Sequence, residues 1–308
     1  MLENILQSDT LALHNPLSPV ARKMLKPFAA PLLHVSKVNT LFSLYDGMAR
    51  GLSPQAFSSA ALDLLGVDVS VRGEGLANMP KEGPLVVVSN HPFGALEGLV
   101  LMATLIPHRP DMKFLANFML SSIPEVRDIV INVNPFSTCN CRRENVKGLR
   151  QAVGHVKDGG CLAVFPAGEV SHLHPKQRGI MDPQWNRNVA RIINKTDASV
   201  LPLFFHGRNS LMFNMMGLLH PLARTAMLPS ELLKKRGKPV QLSVGNVITP
   251  AMLKNMRSED DITTYLRARS YTLRPKKERR IFPVFGKTLQ VMQSVAKPRP
   301  SGIIRLEL

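Results

Sequence analysis

Residues 85–98 have the sequence Leu-Val-Val-Val-Ser-Asn-His-Pro-Phe-Gly-Ala-Leu-Glu-Gly. The apolar run at the start of this stretch predicts a buried strand, which ends abruptly just before His91. Pro92 and Gly94 then favour a turn, so we expect the His91 imidazole at the edge of a sheet, with the carboxylate of Glu97 shortly after it in the chain. A carboxylate beside a histidine is a common form of general base, so His91 and Glu97 are the first candidates for catalysis.

Strands and helices alternate on both sides of this stretch. The pattern predicts strands at residues 69–71, 84–88, 114–115, 129–133, 161–165 and 199–205, with helices at 96–105 and 145–157. Such alternation is typical of an α/β fold with a largely parallel central sheet flanked by helices on both faces. Active sites in these folds lie at the carboxyl ends of the strands. His91 and Glu169 each follow a predicted strand end, so both are expected on the same side of the sheet.

Composition shifts along the chain predict three regions. Residues 1–58 contain several prolines and short helical patterns, and we interpret them as an N-terminal helical cap. Residues 59–260 form the α/β domain. Residues 261–308 are interpreted as a basic C-terminal helix and tail, with a dense run of arginine and lysine at 267–280. The whole chain of 308 residues is long enough to bury a substantial core.

A second segment, Phe165-Pro166-Ala167-Gly168-Glu169-Val170-Ser171, accompanies the stretch around His91. Together the two segments resemble the glycerolipid acyltransferase superfamily, most closely its hemolysin-like branch, which includes O-acyltransferases of the ornithine-lipid type. The resemblance extends over roughly residues 60–250. It implies an O-acyltransferase that moves a fatty acyl group from an acyl carrier protein or coenzyme A thioester to the hydroxyl of a membrane lyso-lipid, in phospholipid or amino-lipid biosynthesis. The acceptor is either 1-acylglycerol-3-phosphate or a lyso-amino lipid.

The chain departs from the superfamily at the catalytic acid. The superfamily places an Asp five residues after the His, a position that Leu96 occupies here, and the acid follows as Glu97. In one interpretation Glu97 replaces the Asp and orients His91. In another, His91 caps the following helix and Glu97 complements the dipole at the start of that helix. A third interpretation takes Leu96 as the mark of a degenerate site in a lipid-binding protein.

The segment at 165–169 is expected to shape the acceptor site. The resemblance assigns substrate binding to Phe165, Pro166, Gly168 and Glu169. Gly168 allows close approach of the backbone to a ligand, and backbone amides near it can stabilise an oxyanion. The alternative is a tight strand-to-helix turn capped by Ser171. Glu169 either binds a cationic group of the acceptor or pairs with a nearby arginine.

Three arginines are candidates for holding an anionic head group. Arg142 and Arg143 open a predicted helix, in a location where the superfamily has a phosphate-binding arginine. Arg208 follows the strand predicted at 199–205. The alternatives are a solvated helix start for the first two residues and a structural ion pair for Arg208.

Cysteine and histidine pairs do not predict a metal site. Cys139 with Cys141 and His172 with His174 lack the four-ligand spacing of structural zinc. We expect no metal and no cofactor, with the acyl thioester acting as a co-substrate.

The chain has no Gly-x-Ser-x-Gly signature, which favours direct transfer over a covalent acyl-enzyme. Three cysteines make a disulfide framework unexpected, and favour a cytoplasmic location.

The formal charge of +17 predicts an acidic partner. Nucleic acid is one such partner, but the aromatic content of 6% and the lack of a recognisable binding motif argue against it. We expect instead an anionic membrane surface or an acidic acyl carrier protein.

No apolar run approaches the ~18 residues that span a bilayer, so a peripheral position on the inner membrane surface is expected. The Met-rich stretch at 211–233 is interpreted as the wall of an acyl pocket, as core, or as a membrane-facing surface.

Overall fold

The computed structural model describes residues 37–133, 141–174, 179–219, 221–256 and 258–275. Within these ranges only the backbone is described at 118–119, 141–144, 217–219 and 221–223. Most of the predicted N-terminal cap, Cys139, and residues 276–308 of the predicted C-terminal region therefore lie outside the described residues.

Nine strands are described. They are β1 (Val69–Arg72), β2 (Leu85–Ser89), β3 (Lys113–Asn117), β4 (Val130–Val133), β5 (Cys161–Val164), β6 (His172–His174), β7 (Gly179–Met181), β8 (Ser199–His206) and β9 (Val240–Val244). Seven of them form one sheet in the order β1-β9-β8-β2-β5-β3-β4, while β6 and β7 form a separate antiparallel hairpin. Every pair in the large sheet is parallel except β8 with β9. The prediction of a largely parallel sheet is confirmed, with β1 at its edge.

Ten α-helices surround the sheet in the described part of the chain. They are α1 (Val38–Asp46), α2 (Pro54–Leu64), α3 (Ala95–Leu105), α4 (Cys141–Lys157), α5 (Asn188–Thr196), α6 (Leu211–Leu219), α7 (Pro221–Ala226), α8 (Leu228–Leu233), α9 (Pro250–Leu253) and α10 (Glu259–Tyr271). Two short 3₁₀ helices, Phe118–Ser122 and Pro124–Ile129, connect β3 to β4. None of the described helices is both long enough and apolar enough to cross a membrane.

Two hydrophobic cores cover the opposite faces of the sheet. Alternate residues of β2 point to opposite sides: Leu85 and Val87 belong to one core, and Val86 and Val88 to the other. All five residues of β2 are buried, as a central strand covered on both faces requires. Helices α2 and α3 contribute to the first core, and α5 and α10 to the second.

The amino ends of β2 and β5 are joined by one buried cation. The guanidinium of Arg109, whose side chain is 1% exposed, donates to the carbonyl oxygens of Pro80, Gly83 and Gly159 and pairs with Asp111 at 2.6 Å. The hydrogen bond from Arg109 holds the pKa of Asp111 below its usual value, despite partial burial. This network lies at the end of the sheet opposite to His91, so we assign it to stability.

Candidate active site

Asn90 fastens the carboxyl end of β2 to its neighbour β8. Its side-chain nitrogen donates to the carbonyl oxygen of Phe205 at 2.9 Å, and its side-chain oxygen accepts from the amide of Phe205 at 2.7 Å. Asn90 is 2% exposed, so both hydrogen bonds are shielded from water. The strand therefore ends at a fixed point, and His91 directly after it leaves the sheet in a defined direction.

The turn between His91 and α3 depends on a glycine and on Glu97. Gly94 has φ 114°, which a residue with a Cβ rarely adopts. The amide of Phe93 donates to Glu97 Oε1 at 2.6 Å, so the carboxylate holds the turn from within the first turn of α3. Glu97 thus does what the helix-start interpretation expects, and it also contacts the imidazole.

His91 Nδ1 lies 3.3 Å from Glu97 Oε1. The contact lacks the alignment of a strong hydrogen bond, as is common for catalytic pairs without bound substrate. The His91 side chain is 17% exposed and the Glu97 side chain is fully buried. Burial by itself lowers the pKa of His91, but the charge of Glu97, and more weakly that of Asp182, outweighs burial and raises the pKa above the usual 6.5. The structure therefore brings the predicted pair together, with Glu97 and not Leu96 facing the histidine.

Phe165 stacks on the His91 ring. The two ring centroids are 4.3 Å apart and the planes differ by 20°. The parallel register explains this contact, because Val88 of β2 pairs with Val164 of β5 and the residues that follow leave the sheet side by side. Phe165 and Glu97 together hold the imidazole from two directions.

The rest of the segment at 165–171 forms a tight turn. The amide of Gly168, at φ 72°, donates to the carbonyl oxygen of Phe165, so this amide is already used within the turn. Pro166 is buried, and its carbonyl oxygen accepts from the amide of Asn186 at 2.8 Å. Glu169 forms an ion pair with the buried Arg224 of α7. Of the two interpretations of Glu169, the structure shows the pairing with an arginine.

Asp182 is a buried residue that the sequence analysis missed. Its Oδ1 accepts from the His91 amide at 3.2 Å and from the Ser171 hydroxyl, and its Oδ2 accepts from Trp185 Nε1 at 2.8 Å. The amide of Ser171 also donates to the His91 carbonyl oxygen at 2.8 Å. Asp182 therefore joins the two predicted site segments. Its position after the short strand β7 gave no local signal, because periodicity does not distinguish a buried acid from an exposed one.

Arg208 is exposed just after β8, and the next residue, Asn209, donates to the carbonyl oxygen of Phe93 in the turn between His91 and α3 at 3.1 Å. Lys235 Nζ donates to the Arg208 carbonyl oxygen at 2.7 Å and sits 4.4 Å from the centroid of the Phe93 ring. Burial lowers the pKa of Lys235, and nearby Glu231 offsets this only in part. Arg142 and Arg143, the other two arginines predicted to hold an anionic head group, lie in the first turn of α4. Their side chains are outside the described part of the structure.

Cys161 begins β5, at the end of the sheet away from His91. Burial raises the pKa of this thiol to about 12, so it is a structural residue at neutral pH.

His172 and His174 stack on each other with ring centroids 4.4 Å apart. Among the described side chains, no group of three or more histidine, cysteine or acidic residues converges as a metal site would require.

A protein-family model described as "Acyltransferase" matches residues 19–278 of the chain. A lyso-glycine lipid O-acyltransferase of Phocaeicola vulgatus is 31% identical over 200 residues, which covers 62% of this chain and 68% of the relative. A protein of the same description from Bacteroides thetaiotaomicron is 28% identical over 202 residues, covering 62% of this chain and 70% of the relative. The crystal structure of the 1-acyl-sn-glycerophosphate acyltransferase PlsC from Thermotoga maritima aligns with a TM-score of 0.47 at 21% identity, covering 71% of this chain and 76% of that one.

Proposed function

This chain belongs to the acyltransferase family, and on that premise we propose that it moves a fatty acyl group from a thioester to the free hydroxyl of a lyso-lipid. One observation carries the proposal: the His91 ring is held between Phe165 at 4.3 Å and the buried carboxylate of Glu97 at 3.3 Å. A proton on Nδ1 faces this carboxylate, which leaves Nε2 free to accept a proton. The side chain is 17% exposed, so an incoming hydroxyl can reach it.

In the proposed reaction neutral His91 acts as the general base. Nε2 takes the proton of the acceptor hydroxyl as its oxygen attacks the thioester carbonyl carbon, so that a carbon–oxygen bond forms. The carbon–sulfur bond then breaks, and the imidazolium returns the proton to the departing sulfur, which leaves as a free thiol. Glu97 stabilises the imidazolium between these two transfers and is a positioning residue for the base. No group on the enzyme is acylated, and no electrons are transferred.

The segment from Phe165 to Glu169 forms the acceptor side of the proposed site. Phe165 touches the catalytic ring, while Pro166 and Gly168 shape the turn beside it. Glu169 acts indirectly in this proposal, because its carboxylate is paired with Arg224. Of the predicted anion-binding arginines, Arg208 is the exposed cation next to the turn, and Arg142 and Arg143 keep this role by their place at the start of α4.

We propose a lyso-amino lipid as the acceptor class, because both relatives described above are named lyso-glycine lipid O-acyltransferases. Lysophosphatidic acid is the competing acceptor. The donor is acyl carrier protein or coenzyme A carrying the acyl group as a thioester. The protein acts at an anionic membrane surface, where a lyso-lipid acceptor is found.

Competition between acceptors tests this proposal. Purified full-length protein is supplied with acyl carrier protein or coenzyme A thioesters and an equal mixture of lyso-glycine lipid and lysophosphatidic acid, and the products are identified by mass spectrometry. We expect diacylated glycine lipid to form first. Preferential acylation of lysophosphatidic acid would reassign the acceptor, and absence of any acylated product would contradict the function.

The hypothesis of a degenerate site does not gain support from Leu96. Leu96 is 1% exposed and packs in the first hydrophobic core, while the neighbouring Glu97 reaches the histidine. A carboxylate is therefore next to the base even though the superfamily position holds a leucine.

A further inference from the structure

Two arginines in the described part of the basic run at 267–280, Arg267 and Arg274, face the protein itself. Arg267 donates to the carbonyl oxygen of Asp182 at 2.7 Å. Arg274 packs over the rings of Phe204 and Tyr271, 4.8 Å from each centroid. These cations stabilise the fold, so an interaction surface for a membrane has to be sought elsewhere among the described residues.

Helix α6 has a buried side and an apolar exposed side. Phe213 and Asn214 are buried at 0% and 1% exposure. Leu211, Met212 and Met215 are exposed at 71%, 58% and 54%. We call these three residues the α6 outer face. Clustered large apolar side chains at such exposure are typical of a contact surface.

The buried side of α6 attaches the helix to the candidate active site. Phe213 packs in a small cluster with Val170, which directly follows Glu169. At the start of α6, Asn209 donates from its side-chain nitrogen to the carbonyl oxygen of Phe93 at 3.1 Å. The buried side of α6 and the residues just before the helix therefore contact both segments of the candidate site.

Cations adjoin the start of α6. Lys234 Nζ donates to the hydroxyl of Ser210, the residue directly before the helix, at 3.2 Å. Lys235 is held by the carbonyl oxygen of Arg208 at 2.7 Å. Lys234 also pairs with Glu231, which offsets its charge, so Arg208 and Lys235 supply the positive excess. An apolar helix face bordered by cations is typical of proteins that lie on anionic membranes.

We infer that the α6 outer face and the adjoining Arg208 and Lys235 form the surface that docks onto an anionic lipid bilayer. The inference rests on the proposed function, since a lyso-lipid acceptor resides in a membrane. Methionine and leucine enter the boundary between head groups and acyl chains, while the cations interact with anionic head groups. Docking through this face presents the His91 turn to the leaflet, so the acceptor needs to move only a short way out of the bilayer.

The test compares the double variant Met212→Gln/Met215→Gln with Met252→Gln. Met252 lies on α9 and is also an exposed methionine, at 46%. Its helix follows Ile248, which pairs with Val200 at the amino end of β8, so Met252 is at the end of the sheet away from His91. Binding is measured by co-sedimentation with vesicles of phosphatidylcholine alone and of phosphatidylcholine with about 30% phosphatidylglycerol. We expect the double variant to bind the anionic vesicles about tenfold more weakly, and Met252→Gln to bind like wild type. Equal thermal unfolding temperatures confirm that all three proteins are folded.

Activity separates this inference from the proposed function. On a short-chain acceptor dissolved as monomers, the double variant should match wild type, and on an acceptor embedded in vesicles it should lose about as much activity as it loses binding. Wild-type vesicle binding by the double variant would overturn the docking surface, even with acyl transfer intact. If the double variant loses vesicle binding but the wild type acylates no acceptor, the docking surface is supported and the proposed function is contradicted.

Discussion

His91 and Phe165 stack with ring centroids 4.3 Å apart, although each follows a different strand of the sheet. The contact exists because β2 and β5 are parallel neighbours, paired up to Val88 and Val164 near their carboxyl ends. The Nδ1 edge of the imidazole faces Glu97. The proposed mechanism depends on this arrangement of His91, Phe165 and Glu97.

Glu97→Gln keeps the size of the side chain and removes the charge beside His91. We expect turnover to fall roughly 10²-fold, because the imidazolium formed during transfer loses its stabilising carboxylate. Leu96→Ala is the matched control, since Leu96 lies next to Glu97 but packs in the core. It should reduce the free energy of unfolding by about 2 to 5 kcal/mol and leave the turnover of folded protein largely intact. Wild-type turnover in Glu97→Gln would show that another acid supports the base.

The pH profile reports the environment of His91. The base works as neutral imidazole, and its pKa is raised above the usual 6.5, so kcat/KM should fall on acidification with a midpoint above 6.5. Glu97→Gln removes the main cause that raises this pKa and leaves burial, which lowers it, so the midpoint should move to lower pH. Both profiles are recorded from about pH 5 to about pH 9. Identical midpoints would mean that a group other than His91 controls the acidic limb.

Phe165→Leu removes the ring that stacks on His91 and keeps an apolar side chain. We expect kcat to fall roughly 10- to 100-fold, because the imidazole loses its fixed orientation, with little change in the donor KM. Phe165→Tyr keeps the stack and should retain most of the activity. Steady-state kinetics of both variants decide the point, and equal losses in both would assign the role of Phe165 to something other than its ring.

Asp182→Asn tests the residue that joins the two site segments. The carboxylate accepts hydrogen bonds from the His91 amide, the Ser171 hydroxyl and Trp185 Nε1, whereas an amide group has one accepting oxygen. We expect the free energy of unfolding to fall by about 2 to 4 kcal/mol, measured by urea denaturation. Asp111→Asn, at the opposite end of the sheet, serves as a comparison that should lower stability without changing the pH profile of the folded enzyme. An unchanged stability in Asp182→Asn would contradict the network.

Much of the fold could be predicted from local pattern. The buried runs at 85–88, 161–164 and 199–205 gave strands close to those observed, because a central parallel strand needs continuous apolar sequence. Glycine and proline near His91 gave the turn that brings Glu97 to the imidazole. Strand β9, which pairs antiparallel with β8, was missed because a short strand after a basic loop has little distinctive periodicity.

The parts of the site that could not be predicted depend on contacts between distant segments. Asp182 reaches His91 from the end of a hairpin, and Lys235 reaches Phe93 from beyond α8. The partner of Glu169 is Arg224, on a helix in the Met-rich stretch. Sequence showed each side chain's chemistry but not its neighbour, since tertiary packing decides which of several possible partners is closest.

The most direct test of the account compares wild type with His91→Ala in acyl transfer to a lyso-lipid, using purified protein and mass spectrometry of the product. His91 lies beyond the end of its strand, so the variant should fold like wild type. We predict that wild type forms the acylated lipid and that His91→Ala forms it at a rate lower by about 10² to 10⁴. A folded His91→Ala protein that transfers the acyl group at close to the wild-type rate would contradict the assignment of His91 as the base.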